Sequence, residues 1–214
     1  MKAIAVLILS TTLSVAGCKK TEDKPAPGLA APTSAETTKP NPPAADADHV
    51  EVLARHLPAA GKADLDADPV IVRFDKFAIT KASFDPNHLE GGTAAIELDP
   101  TSIKTGNEER DSDLKSPEYI DVPKFATITI DVANVKKQAG TTYTADATVA
   151  CHGVTKKYSV TFEVLATTAD SVRIKGEHAF SRLDFAVGID PTTDPTERIS
   201  PALIIQWVLT LKKS

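Results

Sequence analysis

Two cysteines, five histidines and a few Arg–carboxylate pairs are the residues of this chain whose types and spacing bear on chemistry. Cys151 and His152 are adjacent, and a thiol beside an imidazole is the pairing of a nucleophile with its base. They fall, however, in a stretch of alternating residues, where successive side chains leave on opposite faces. Cys151 then reads as a small buried hydrophobe and His152 as a turn residue. His49, His56, His88 and His178 show no HxxxH or HxH spacing, so no metal site is expected. Two cysteines allow neither a disulfide framework nor a CxxC pair. GxSxG, P-loop and GxGxxG motifs are absent, so neither catalysis nor a cofactor is expected. Arg110-Asp111 and Arg182 with Asp184 are pairs with demanding geometry, suited to tying a loop to a sheet.

Cys18 carries a different chemistry. It closes the run Leu13-Ser14-Val15-Ala16-Gly17-Cys18, behind Lys2 and an apolar stretch from residue 3 to 15. That stretch has the length of a secretion-signal core and falls short of the about 20 apolar residues of a membrane-spanning helix. The run is similar to a bacterial lipobox, in which the peptide is cut before the cysteine and the cysteine is acylated. Residues 1–17 are thus expected to be a lipoprotein signal peptide and Cys18 the lipid anchor. Acyl chains contribute about 0.8 kcal/mol per buried CH₂, enough together for durable attachment to a membrane. The expected location is the bacterial cell envelope, facing the periplasm. Lys19 after the cysteine favours the outer over the inner membrane, by analogy with enteric sorting. The net charge of −5 gives no electrostatic reason to bind nucleic acid.

What must position any site begins further on. Residues 18–48 hold Pro25, Pro27, Pro32, Pro40, Pro42 and Pro43 with one large apolar residue, Leu29. Such a segment cannot bury enough surface to offset its ordering entropy. It is expected to be an extended spacer after the lipidated Cys18. From residue 49 the pattern changes, and 49–214 is expected to form one domain. Val50, Val52, Leu53 and Ala54 suit a short helix or strand. Strand-like alternation then runs over 70–80, 93–98, 125–135, 142–151, 157–165, 172–185 and 202–211. One wet and one dry face per strand imply antiparallel pairing. Turn residues such as Asp85-Pro86-Asn87 and Ala139-Gly140 separate the strands. A polar stretch with Asn107 as cap and Glu108 and Glu109 behind it predicts a short helix ending before Ser116-Pro117.

Three motifs resemble the YceI-like polyisoprenoid-binding family. The first is Leu98-Asp99-Pro100-Thr101-Ser102-Ile103-Lys104-Thr105-Gly106-Asn107, followed by Arg110-Asp111 and Leu114-Lys115-Ser116-Pro117-Glu118-Tyr119. The second is His152-Gly153-Val154-Thr155-Lys156, and the third Phe180-Ser181-Arg182-Leu183-Asp184-Phe185. Asp113 stands where the family usually has histidine, and Ala186 where it has glycine. The resemblance implies an all-β fold, an eight-stranded antiparallel lipocalin-like barrel with one short helix and loop crossing an end. It further implies a non-enzymatic protein binding a polyisoprenoid, quinone or similar long-chain lipid as its ligand, and it admits a homodimer.

On that reading the wall of the cavity has an expected composition. The early strands give Val72, Phe74, Ile96, Ile128 and Ile130. The middle strands give Tyr143, Ala145, Ala147, Val149, Tyr158, Val160 and Phe162. The late strands give Ile174, Phe180, Ile205 and Trp207. Arg110, Asp111 and Arg182 are candidates for contact with a polar lipid end at the mouth. Periodicity by itself also suits a solid core, and the small Ala145 and Ala147 make room either for Trp207 or for a ligand. The alternative to a carrier is a filled barrel that serves as a structural or protein-interaction module.

Overall fold

In a computed structural model, residues 39–44, 47–57 and 69–213 are described; Cys18, the expected signal peptide and most of the expected spacer lie outside them. Among the described residues the alternating segments form ten strands, all paired antiparallel in one curled sheet. In chain order these are β1 (His49–Ala54), β2 (Val70–Phe74), β3 (Phe77–Asp85), β4 (His88–Leu98) and β5 (Ile103–Lys104). The rest are β6 (Ile128–Ala139), β7 (Thr142–Cys151), β8 (Val154–Thr167), β9 (Ser171–Ser181) and β10 (Ala202–Lys212). The hydrogen-bonded order is β3-β4-β6-β7-β8-β9-β10-β1-β2-β5.

Ten strands replace the expected eight for two reasons. The run 70–80 breaks at Asp75-Lys76. The inward phase set by Val72 and Phe74 cannot continue to Phe77 and Ile79, three rather than two residues on. The two halves therefore pair at opposite ends of the strand order, β2 with β1 and β3 with β4. The chain itself joins those ends. Second, Ile103 and Lys104 add a two-residue strand against β2. The segment around Val50 is a strand, and the run 172–185 ends its strand at Ser181, continuing as a 3₁₀ turn Arg182–Phe185.

A polar staple holds the break between β2 and β3. The 3₁₀ turn Pro100–Ser102 is capped by Asp99, whose carboxylate accepts from Thr101 N at 2.8 Å and Thr101 Oγ1 at 2.6 Å. The buried Ser102 hydroxyl accepts from Lys76 N at 2.9 Å and donates to the Asp99 carbonyl at 2.6 Å. Asp99 N donates to the Lys76 carbonyl at 3.0 Å. Further on, helix α1 (Glu108–Lys115) starts at its expected cap, with Asn107 Oδ1 accepting from Arg110 N at 2.9 Å. Leu114, Ile120 and Val122 carry this connection onto the core.

Asp48 is the last residue of the expected spacer. Asp48 accepts from Thr210 N at 2.7 Å, Thr210 Oγ1 at 2.9 Å and Arg173 Nη1 at 2.9 Å. It is thus a clamp on β9 and β10, a role that composition does not reveal.

Ser102→Ala removes one acceptor from Lys76 N–H and one donor from the Asp99 carbonyl at the break. The expected loss is about 1–2 kcal/mol, read as a lower urea midpoint with an unchanged slope. An unchanged midpoint would show that the staple contributes nothing.

Candidate lipid-binding cavity

Period-two alternation on a concave sheet gathers one apolar face at the centre. That face encloses a cavity of about 210 Å³. The sequence-predicted residues Phe74, Ile96, Ile128, Ile130, Ala147 and Val149 line it, as do Tyr158, Val160, Phe162, Ile174, Phe180, Ile205 and Trp207. Val72, Tyr143 and Ala145 were expected in the wall, but they are buried in the packing beside the cavity and do not line it. Tyr143 stacks on Phe162 with centroids 5.6 Å apart, which fills that part of the interior with ring.

Sequence reasoning missed other lining residues, among them Val50, Val52, Phe84, Ala94, Leu209 and Phe185. Val50 and Val52 had the right alternation but stood on a segment too short to assign. Phe84 follows a β-bulge in β3, and the shift in register hides its inward phase.

Accessibility is uneven along the wall. Val50, Leu89, Val160, Val172, Leu209 and Leu211 are buried. Val52, Ile130, Val149, Ile174, Ile205 and Trp207 are only partly so, although they point to the same interior. Both groups line the cavity.

Trp207 finds room over Gly176. Gly176 pairs with Trp207 across β9 and β10, and a Cβ on it would sit 2.3 Å from the indole. No side chain larger than hydrogen fits there without moving the tryptophan. Ala147 keeps its space for the cavity.

Among the described residues, no Asp, Glu, Lys or Arg lines the cavity. Its polar side chains are Thr93, Cys151, Tyr158, His178 and Trp207. The Tyr158 hydroxyl donates to Asp184 Oδ2 at 3.1 Å. Burial, then this bond and the carboxylate charge, push its pKa up to about 12. Burial pushes the Cys151 thiol up to about 11. His152 turns away, its Nδ1 3.0 Å from the Phe185 carbonyl. Both His152 and Gly153 have positive φ, 49° and 75°, as the tight turn joining β7 and β8 requires. The Cys–His pairing therefore does not form.

The three residues considered for a polar mouth do not line the cavity. Asp111 is buried and accepts from Thr105 N and Thr105 Oγ1, both at 2.7 Å. Arg110 follows the cap of α1 and stays outside the wall. Arg182 is 3% exposed, and its guanidinium donates to four carbonyls: Val187 at 2.8 Å, Ile189 at 2.7 Å, Ile199 at 2.9 Å and Ser200 at 3.2 Å. Glu197 lies 4.0 Å away. Arg182 is the hub of the 182–201 loop, and its donors are spent there.

One end of the cavity is covered by the turn Arg182–Phe185. Phe185 is buried, lines the cavity and meets Phe180 and Tyr158 with centroids 6.2 Å away in each case. The Tyr158–Asp184 and His152–Phe185 bonds fasten it. Ala186, where the resembling family has glycine, closes the turn at φ 53° and ψ 37°, a conformation costly for any residue with a Cβ.

Comparisons with known proteins agree with this architecture. Residues 44–210 match the YceI-like domain. A UPF0312 protein of Vibrio cholerae serotype O1 is 26% identical over 98 residues, covering 46% of this chain and 51% of that protein. The chain thus spans about half the length of the curated relatives it matches. The crystal structure of Burkholderia cenocepacia BcnA superposes with a TM-score of 0.65 at 18% identity, over 77% of this chain and 96% of that one. A polyisoprenoid binding domain from Saccharophagus degradans gives 0.59 at 16%, over 78% and 94%. At such identities the likeness is one of fold.

Two outcomes follow from these environments. Ala186→Gly is expected to raise stability by about 0.5–1 kcal/mol, seen as a higher urea midpoint; a lower midpoint would mean the turn carries no strain. Cys151 is expected to alkylate slowly at pH 8 and to speed up until about pH 11. Mass spectrometry of its peptide follows this, and half-maximal labelling near pH 8.5 would contradict it.

Proposed function

The chain belongs to the YceI-like domain family, and from that membership and its cavity we propose that it binds, stores or carries a long apolar lipid. The single observation that carries this reading is an interior space walled by aliphatic and aromatic side chains, with no charged residue lining it among the described residues. A lipid chain entering it gains roughly 25 cal/mol for each Å² of apolar surface removed from water. A neighbour in fold described as a polyisoprenoid binding domain supports an isoprenoid ligand. In this reading the domain acts without catalysis, at the bacterial envelope, tethered through acylated Cys18 on the spacer that precedes it.

The cavity volume bears on how the ligand sits. About 210 Å³ is below the ~300–1,000 Å³ of common small-molecule pockets. A long chain therefore displaces wall side chains or extends past one end. The same small volume favours, as second reading, a filled barrel that serves as a protein-interaction module.

Trp207 separates the two readings, because it is the one tryptophan of the chain and stands in the wall. Titration with geranylgeraniol is expected to change its fluorescence saturably at one equivalent. Ala147→Phe, which fills the cavity by a ring, is expected to weaken that binding at least about tenfold while the far-ultraviolet circular dichroism stays unchanged. Fluorescence that does not respond in the unsubstituted chain supports the filled barrel.

A further inference from the structure

We infer that the turn Arg182–Phe185 is the gate of the cavity, with the Phe185 ring as its plug and the Tyr158–Asp184 hydrogen bond as its latch; the carrier reading gives this gate its cargo, and the inference rests on it. Among the described residues that line the cavity, Phe185 alone stands outside the strands. Every other wall residue is carried by a ladder, and moving its backbone breaks paired hydrogen bonds. A chain must pass some part of the wall to enter. The turn is the one segment of that wall that can yield with the ladders intact.

The two ends of the sheet differ accordingly. One carries the hairpins β3–β4, β6–β7 and β8–β9, and Leu89, Val135, Val172 and Leu211 are buried there. At the other, the turn leaves the sheet after β9. Among the described residues, two hydrogen bonds tie Asp184 and Phe185 to the β7–β8 hairpin. Tyr158 donates to Asp184 Oδ2 at 3.1 Å, and His152 Nδ1 lies 3.0 Å from the Phe185 carbonyl. Arg182 stays behind when they part: its guanidinium is held by four carbonyls of residues 187–200, and its N–H donates to the Pro201 carbonyl at 2.9 Å. The moving part is thus 183–186. Ala186 ends it at φ 53°, a conformation costly for a residue with a Cβ, so leaving the closed form relieves strain. Asp184 does not line the cavity, and its removal frees the gate without altering the wall. Cys151 does line it, one residue before His152, and its thiol lies near enough to bear on the Tyr158 proton. A reagent passing the open gate meets that thiol beside Tyr158.

The test reads the gate first without lipid. Labelling of Cys151 by N-ethylmaleimide at pH 8 is followed by mass spectrometry of its peptide. Asp184→Ala is expected to label about tenfold faster than the unsubstituted protein. Tyr158→Phe, which keeps the ring and removes the latch proton, is expected to act in the same direction. Below the unfolding transition these rates are expected to stay nearly flat in urea, because opening one turn exposes little surface. Labelling unchanged in both variants, or a rate that climbs with the slope of global unfolding, overturns the inference. Uptake and release of geranylgeraniol are then timed by Trp207 fluorescence. Asp184→Ala is expected to speed both by the same factor and to leave affinity unchanged, as a gate requires. Faster release with uptake unchanged marks a lost contact and overturns the gate. Labelling that responds as stated in a protein that binds no geranylgeraniol overturns the carrier reading alone: the turn opens, with no lipid to admit.

Discussion

Curvature is the constraint on which the rest depends. Hydrogen-bonded ladders from β3 to β5 bend one continuous apolar face inward, and on a concave face side chains of ordinary size need not meet at the middle. A flat sheet with the same residues would bury them against a second layer. Here the ladder fixes the wall, and the interior is filled only as far as individual side chains reach. Tyr143 stacks on Phe162 in one region, while Ile130, Val149 and Ile205 line the cavity. Whether a curled sheet holds a core or a cavity is thus decided by residue size at a few positions such as Ala147, which lines the cavity.

Polar chemistry in this molecule serves closure. Ser102 staples the break where the chain passes from one end of the strand order to the other. Asp111 anchors Thr105 ahead of α1. Arg182 gathers four carbonyls of the loop beyond β9. Each satisfies buried donors or acceptors that would otherwise cost about 1–3 kcal/mol apiece, and each does so away from the cavity wall. Charges kept out of the interior leave it apolar, which links the stability of the loops to the character of the site.

Much of this was legible in the sequence. Alternation in 142–151 and 157–164 gave both strand and inward face, because those strands are long and their pairing with each other is regular over these residues. The cap at Asn107 announced its helix. Less was legible where a local irregularity changes the phase. The three-residue step from Phe74 to Phe77 was a visible sign of the break at Asp75-Lys76, yet taken as one strand it hid two. The bulge in β3 concealed Phe84 in the same way. Arg110, Asp111 and Arg182 drew attention as charged residues at fixed spacing. Spacing does not tell a ligand contact from a loop hub; that depends on which carbonyls the backbone brings near, a tertiary fact. Gly176 was silent because a glycine in a strand names no neighbour until its partner strand is known.

The central claim is that the interior is vacant for a lipid and not merely loosely packed. Organic extraction of the protein purified from a bacterial envelope without added lipid, followed by mass spectrometry, tests this most directly. The account predicts one long-chain lipid per chain, lost when the barrel is unfolded before purification. An extract free of stoichiometric lipid, from a protein that also takes up none on incubation with membranes, would contradict it.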